Sequence, residues 1–171
     1  DTLGDYSDGI EKILDENFIE NKFINERLKI IDAKIQELNQ EKDYYSEYKL
    51  ESLIKTKIAL LYQLGMDKEA LETIKDNIYF VPIRRMLIDK ARENGNIDQV
   101  EKLLKEGMNI ALKRGHCGTV TYYIEELLSI YEKQNNNEKY KDLVQETLFK
   151  YSRASFKYYK KLKELYKKEQ W

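Results

Sequence analysis

Three stretches of the sequence end one helical pattern and begin another in the same way, and this shared pattern most constrains the fold. The stretches are LLYQLGMDKEALETI (60–74), KARENGNIDQVEKLL (90–104) and IYEKQNNNEKYKDLV (130–144), which align without a gap on Gly65, Gly95 and Asn135. Glycine, and to a lesser degree asparagine, tolerates the left-handed backbone conformation that closes a helix. Each stretch therefore predicts a helix, a tight turn and a second helix.

Apolar residues keep the same places on both sides of these turns. They are Leu61, Ala91 and Tyr131 before the turn, then Ala70, Val100 and Tyr140, and then Ile74, Leu104 and Val144. A single helical hairpin leaves an apolar face exposed, which a neighbouring hairpin covers when the two stack. The first copy resembles a tetratricopeptide unit, with Ala70 where two helices approach closely, although the copies are not spaced at a fixed 34 residues. We predict an irregular, tetratricopeptide-like superhelix (an α-solenoid) of stacked antiparallel helical hairpins.

The remaining sequence also favours an all-α fold. One proline and seven glycines in 171 residues leave long uninterrupted helical patterns, and no alternating run of β-branched residues indicates a strand. Helices are predicted near 7–16, 20–42, 46–64, 67–77, 82–94, 97–114, 119–134, 137–150 and 153–168. We expect residues 1–171 to form a single repeat domain of a longer protein, with N-terminal helices over 1–45 and irregular hairpin repeats over 46–171.

The last 95 or so residues resemble the helical region of bacterial SWIM zinc-finger proteins and their uncharacterised relatives. The resemblance lies in NIYFVPIRRMLIDKARENGNIDQVEKLLKEGMNIA (77–111), YYIEELLSIYEKQNNNEKYKDLVQETLFKY (122–151) and YYKKLKELYKKEQW (158–171). It implies a helical repeat region that accompanies another functional module. The SWIM motif itself needs three cysteines and a histidine, and this chain has one of each, so the zinc module and its function do not carry over.

The only histidine and the only cysteine are adjacent, in the stretch KRGHCGT (113–119). A structural zinc site needs four ligands and a catalytic one three, so carboxylates would have to complete any metal site here. Adjacent loop residues tend to point apart, whereas a cysteine nucleophile and its base must meet at hydrogen-bond distance. We therefore predict a bend between helices, with Gly115 ending one and Thr119 capping the next. No catalytic or metal role is expected for His116 and Cys117.

The end of the chain, KYSRASFKYYKKLKELYKKEQW (150–171), is locally basic. Its cations are Lys150, Arg153, Lys157, Lys160, Lys161, Lys163, Lys167 and Lys168, against the anions Glu164 and Glu169. Lysines interleaved with aromatic rings are typical of surfaces that bind single-stranded nucleic acid. Four residues share one helical face: Phe156, Tyr159, Leu162 and Tyr166. This spacing favours a buried apolar face with the lysines in solvent, which is the interpretation we prefer.

The first twenty residues have the opposite charge. Their acidic residues are Asp1, Asp5, Asp8, Glu11, Asp15, Glu16 and Glu20, against Lys12. An acidic end and a basic end could let copies of the chain stack head to tail, in a contact that symmetry does not close. A solvated charged face is the more common origin of such a run.

Fourteen tyrosines form a further candidate set, which includes Tyr44, Tyr45, Tyr48, Tyr158 and Tyr159. Tyrosine combines apolar area with a hydroxyl group and is enriched at binding surfaces. These residues either line a groove for a peptide or fill the space between helices, and the sequence leaves both interpretations open.

Composition narrows the function classes further. A net charge of −1 gives no overall attraction to nucleic acid or to acidic membranes. The sequence has no apolar run of membrane length, no secretory signal and no second cysteine for an internal disulfide, which favours the cytoplasm. It also has no glycine-rich phosphate loop and no HExxH helix.

We predict a non-catalytic scaffold for a protein or peptide partner, not an enzyme, with no catalytic, cofactor-binding or metal residues. The alternative is an accessory domain of a nucleic-acid-associated protein that uses the basic C-terminal helix.

Overall fold

The computed structural model of the chain describes residues 13, 20–40, 44–150 and 156–166. Eight helices, and no strand, are described in these ranges. The helices are α1 (Asn21–Leu38), α2 (Tyr44–Gln63), α3 (Asp67–Asp76), α4 (Val81–Glu93), α5 (Ile97–Lys113), α6 (Cys117–Lys133), α7 (Asn137–Lys150) and α8 (Phe156–Leu165). The all-α prediction is therefore confirmed for this part of the chain. The helix predicted near 7–16 falls outside it, apart from residue 13.

Two compact units divide the chain, Asp1–Met86 and Leu87–Trp171, and the boundary between them falls within α4. That helix begins at Val81, so Pro82 lies in its first turn, as predicted, where a missing N–H costs nothing. The expectation of a single repeat domain over 1–171 stays a prediction.

Four connections between helices share one backbone geometry. Gly65, Gly95, Gly115 and Asn135 all have positive φ, between 53° and 71°. In each turn the N–H after the left-handed residue donates to the carbonyl five residues earlier: Met66 to Leu61 (2.9 Å), Asn96 to Ala91 (2.9 Å), His116 to Ala111 (2.9 Å) and Asn136 to Tyr131 (2.8 Å). The left-handed residue itself donates to the carbonyl three residues earlier. This pair of bonds is the Schellman motif, which satisfies carbonyls that the end of a helix leaves open.

The turn at Gly115 is a copy of the repeat that the sequence alignment leaves out. Aligned on Gly115, the segment IALKRGHCGTVTYYI (110–124) places Ala111, Val120 and Ile124 at the three apolar positions of the other copies, and all three are buried. The apparent 40-residue step from Gly95 to Asn135 is thus two steps of 20. Each step consists of a 17-residue helix, α5 or α6, and a three-residue turn.

Helix α6 begins two residues earlier than the sequence predicts. His116 is its N-cap residue, and Thr119 lies inside the helix, so the prediction that Thr119 caps it is wrong. The reason is that Gly115 reverses the chain in a single left-handed residue. The backbone at Cys117 is therefore already helical, and Gly118 is an ordinary helical residue.

The core of the first unit joins α1, α2 and α3. Helix α1 packs against α2, and α2 against α3. The buried cluster consists of Ile24, Leu28, Ile31, Leu60, Leu61 and Ala70. Ala70 is 0% exposed, which fits its predicted place where two helices approach closely. An ion pair of 2.6 Å between Lys57 and Asp32 also links α2 to α1.

The second unit packs each helix against the next, α5 on α6, α6 on α7 and α7 on α8. The apolar positions predicted from the repeat form its core: Ala91, Val100, Leu104, Tyr131 and Val144 are buried, and Tyr140 is half-buried. The larger side chains at positions 100 and 140 replace the alanine found at 70 in the first copy. No buried side-chain nitrogen or oxygen in the described ranges lacks a hydrogen-bond partner.

The two glycines of the KRGHCGT turn provide a test of this geometry. Gly115→Ala should destabilise the protein by about 1–2 kcal/mol, because its φ of +71° is unfavourable for any residue with a Cβ atom. Gly118→Ala should instead stabilise it by about 0.5–1 kcal/mol, because residue 118 is helical. No atom lies within 4 Å of a Cβ added at either position. The difference in unfolding free energy between the two variants therefore reports the backbone conformation at each residue and not a steric clash. Urea unfolding of both variants measures it, and equal effects would contradict the assignment of the turn.

Substitution of Ala70 tests the packing of α3. Ala70→Glu should destabilise the protein by about 3 kcal/mol or more, because the larger side chain overpacks the core and buries an unpaired charge. The exposed neighbour Lys68, changed to Glu, introduces the same side chain and should shift the free energy of unfolding by no more than about 0.5 kcal/mol. An Ala70→Glu protein as stable as the parent would remove Ala70 from the core.

Candidate functional site

The adjacent histidine and cysteine lie where α5 connects to α6, His116 as the last residue of the turn and Cys117 as the first residue of α6. His116 is exposed and its side chain caps no backbone N–H of α6. Cys117 is an exposed free cysteine whose thiol lies 3.7 Å from the Gly115 carbonyl oxygen. In the ranges the structure describes, no three His, Cys, Asp or Glu side chains come together as metal ligands would. The geometry thus assigns this stretch the same connecting role as the other three turns.

A nearly buried carboxylate in α5 links three consecutive helices. Glu101, 8% exposed, accepts hydrogen bonds from the Tyr131 hydroxyl of α6 (3.0 Å), from Lys139 at the start of α7 (2.9 and 3.1 Å) and from Lys105 one turn along α5 (2.7 Å). The Lys139 ammonium also lies 5.5 Å from the centroid of the Tyr131 ring. Both carboxylate oxygens of Glu101 are therefore engaged by neighbouring helices.

This arrangement changes the pKa values of the groups involved. Burial alone would raise the pKa of Glu101, but the hydrogen bonds from Lys105, Lys139 and Tyr131 outweigh it and lower that pKa from 4.5 to about 2. Burial and the hydrogen bond to the Glu101 carboxylate raise the pKa of Tyr131 well above its ordinary value. Glu101 therefore stays ionised and Tyr131 stays neutral near pH 7, which is the state in which each of these bonds forms.

A second carboxylate fixes α8 to α6. Glu125 accepts a hydrogen bond of 2.5 Å from the Tyr158 hydroxyl, and Lys157 and Lys161 lie 3.0 and 3.9 Å from its carboxylate oxygens. Burial opposes ionisation of Glu125, but the bonds from Tyr158 and Lys157 prevail and lower its pKa. Burial and the bond to Glu125 raise the pKa of Tyr158. The adjacent Glu126 does not take part in this contact with α8; it forms an ion pair with Arg92 of α4.

Helix α8 is also held by α7. The Gln145 amide donates to the Tyr166 hydroxyl, and the Lys141 ammonium lies 3.9 Å from the centroid of the Tyr166 ring. The Lys161 ammonium of α8 lies 5.6 Å from the centroid of the Tyr140 ring of α7. Two of the basic residues on α8, Lys157 and Lys161, are thus engaged within the protein.

The buried face of α8 differs from the one the sequence predicts. Tyr158 and Leu162 are buried, whereas Phe156 and Tyr159, which the helical spacing assigns to the core, are 68% and 41% exposed. The inward Tyr158 lies on the same face as Leu162, and its hydroxyl donates to the Glu125 carboxylate. No apolar periodicity reports such a bond, because it depends on an acidic residue in a different helix.

The outward face of α8 carries a stripe of four exposed residues, Phe156, Tyr159, Lys160 and Lys163, which we call the α8 stripe. The rings of Phe156 and Tyr159 stack with centroids 6.0 Å apart and planes 14° from parallel. The Lys160 ammonium lies 4.8 Å from the centroid of the Phe156 ring. The stripe therefore presents stacked aromatic rings and positive charge on one helical face.

Tyrosines occur both between helices and at the surface. Tyr123, Tyr131 and Tyr158 are buried between helices, whereas Tyr45 and Tyr48, near the start of α2, are 65% and 68% exposed. The side chain of Tyr44 lies outside the described part of the structure. So do Arg153, Lys167, Lys168 and the acidic N-terminal residues, apart from the exposed Glu20.

Comparisons add no further assignment. Comparison of the chain with protein-family models, with curated proteins and with solved structures finds no match. Among the residues described, no helix combines the length and the hydropathy that a membrane span requires. The resemblance to the helical region of SWIM zinc-finger proteins stays a prediction.

Glu101 provides a test through the pH dependence of stability. Glu101→Gln should destabilise the protein by about 1–3 kcal/mol at pH 7, because a buried amide replaces a carboxylate that accepts charged donors. The pKa of Glu101 is lower in the folded state, so its contribution is complete above pH 4.5 and is lost as the pH falls toward 2. The difference in unfolding free energy between wild type and variant should therefore shrink over that range. The matched control Glu93→Gln, on an exposed residue of α4, should show a small difference at every pH.

Proposed function

We propose that this chain is a non-catalytic helical-repeat scaffold that binds a protein or peptide partner through exposed aromatic side chains. One contrast carries the proposal. Glu101, Glu125, Tyr131 and Tyr158, which have shifted pKa values, all use their polar atoms for bonds between helices. Large aromatic side chains such as Tyr45, Tyr48 and Phe156 are instead exposed to solvent.

The contrast favours binding over catalysis for a physical reason. A general acid or base needs a perturbed group that can exchange a proton with a bound substrate. Two of the perturbed carboxylates, Glu101 and Glu125, accept from lysines and tyrosines of the same chain, which keeps both of them ionised near pH 7. Exposed tyrosine and phenylalanine side chains, by contrast, supply the area and rigidity on which protein interfaces rely.

The finer features of the architecture belong to the same proposal. The 20-residue steps of helix and turn support a tetratricopeptide-like superhelix, an architecture that presents extended binding surfaces. The resemblance to the helical region of SWIM zinc-finger proteins would make such a scaffold the companion of another module. A single cysteine is compatible with the reducing cytoplasm, where we place the protein.

The α8 stripe favours one alternative, an accessory domain of a nucleic-acid-associated protein. Its stacked rings and adjacent lysines are the components on which single-stranded bases and phosphates bind. Binding of this kind weakens steeply with added salt, whereas an interface that depends on aromatic burial does not.

Affinity capture with exposed-residue variants tests the proposal. The tagged chain should retain a protein partner from a lysate of its source organism after nuclease treatment and at moderate salt. Either Tyr45→Ser with Tyr48→Ser, or Phe156→Ser with Tyr159→Ser, should reduce the captured amount about tenfold, because hot-spot aromatic residues dominate interface energies. Glu93→Gln is the surface control and should capture as wild type does. Recovery of nucleic acid that disappears with salt would favour the alternative, and capture unaffected by both variants would contradict the proposed surfaces.

A further inference from the structure

The α8 stripe combines exposed apolar area with two lysines, and one exposed carboxylate, Glu164, lies one turn after Lys160 on the same helix. Phe156, Tyr159, Lys160 and Lys163 follow one another at intervals of three, one and three residues, so they occupy one face over two helical turns. The opposite face, with Tyr158 and Leu162, is buried. Helices of a repeat array that face solvent require a polar outer surface. The α8 stripe does not meet this requirement, because the aromatic rings of Phe156 and Tyr159 are exposed.

The charges on α8 limit what could cover these rings. A second copy of the same stripe would bring Lys160 and Lys163 of both copies into one interface, and like charges at an interface oppose association. Nucleic acid binding gains affinity from each phosphate that a cation neutralises. Lys157 and Lys161 are already paired with Glu125, so few cations of α8 remain to neutralise phosphates.

An acidic helix fits both components of the stripe. Amphipathic helices dock through apolar anchors at intervals of three and four residues, and Phe156 and Tyr159 are three residues apart. Apolar side chains of such a helix would cover the Phe156 and Tyr159 rings, and its carboxylates would pair with Lys160 and Lys163. The pairing gives charge complementarity, which selects the partner and its orientation.

We propose that the α8 stripe is the docking surface for an acidic amphipathic helix of a partner protein. This inference rests on the proposed scaffold function and assigns it one surface and one class of partner. The lysines engaged by Glu125 hold α8 in place, and the lysines of the stripe select the charge of the partner helix.

Selection from a displayed peptide library tests the proposal, because it measures which helix chemistry the stripe prefers. The probes are 18-residue amphipathic peptides with a constant leucine face and with flanking positions randomised among Glu, Lys, Gln and Ser, selected on the immobilised 171-residue chain. We expect enrichment of Glu at the flanking positions. The selected peptides should lose affinity about tenfold or more on Phe156→Ser with Tyr159→Ser. Lys160→Glu with Lys163→Glu should reverse the preference to Lys-rich peptides. All four residues are exposed, and circular dichroism with thermal unfolding checks that the variants fold.

Matched controls separate the outcomes. Glu93→Gln, on an exposed residue of α4, should bind the selected peptides as wild type does. Selected peptides without acidic enrichment, or with equal affinity for the stripe variants, would overturn the docking site while leaving the scaffold function intact. Failure to select any peptide, together with no salt-resistant protein capture, would overturn both. Binding of a fluorescein-labelled 12-nucleotide oligouridine that requires Phe156 and Tyr159 and weakens steeply with salt would assign the stripe to nucleic acid instead.

Discussion

Left-handed residues at the ends of helices are the constraint on which the described architecture depends. Each of the four turns reverses the chain within three residues and still provides hydrogen bonds for the last carbonyls of the preceding helix. Such a turn brings the apolar positions on its two sides, for example Leu61 and Ala70, into one core. A glycine or asparagine at that single position thus determines where one helix stops and where the next can pack.

Two carboxylates, the buried Glu101 and the partly exposed Glu125, add a second level of order to this packing. Glu101 joins α5 to α6 and α7, and Glu125 joins α6 to α8, each through a tyrosine hydroxyl and lysine ammonium groups. Taking a charge out of water is costly, and several charged or polar donors on one carboxylate offset that cost. Apolar packing alone tolerates rotation of a helix about its axis. These bonds have direction, so together with the apolar packing they restrict the rotation of each helix.

The orientation of α8 connects this order to function. Because Tyr158 donates to Glu125, the neighbouring Tyr159 and the preceding Phe156 remain at the surface, where they form a stacked pair beside two lysines. With Tyr159 inward, Tyr158 would instead face solvent, and the stacked pair of Phe156 and Tyr159 would not form at the surface. A structural bond between α6 and α8 is therefore what creates the surface that we propose binds a partner.

The sequence by itself determined the helices and most of their ends. Their signals are local: apolar spacing, and a glycine or asparagine that accepts positive φ. It also contained the copy at Gly115, since Ala111, Val120 and Ile124 repeat the apolar positions, but a second glycine at 118 makes the helix boundary ambiguous there. Only the tertiary structure decided the roles of Glu101 and Glu125 and the exposed face of α8. These features depend on hydrogen bonds between side chains about 30 residues apart in the sequence. Neither apolar periodicity nor composition predicts which distant carboxylate a given tyrosine will contact.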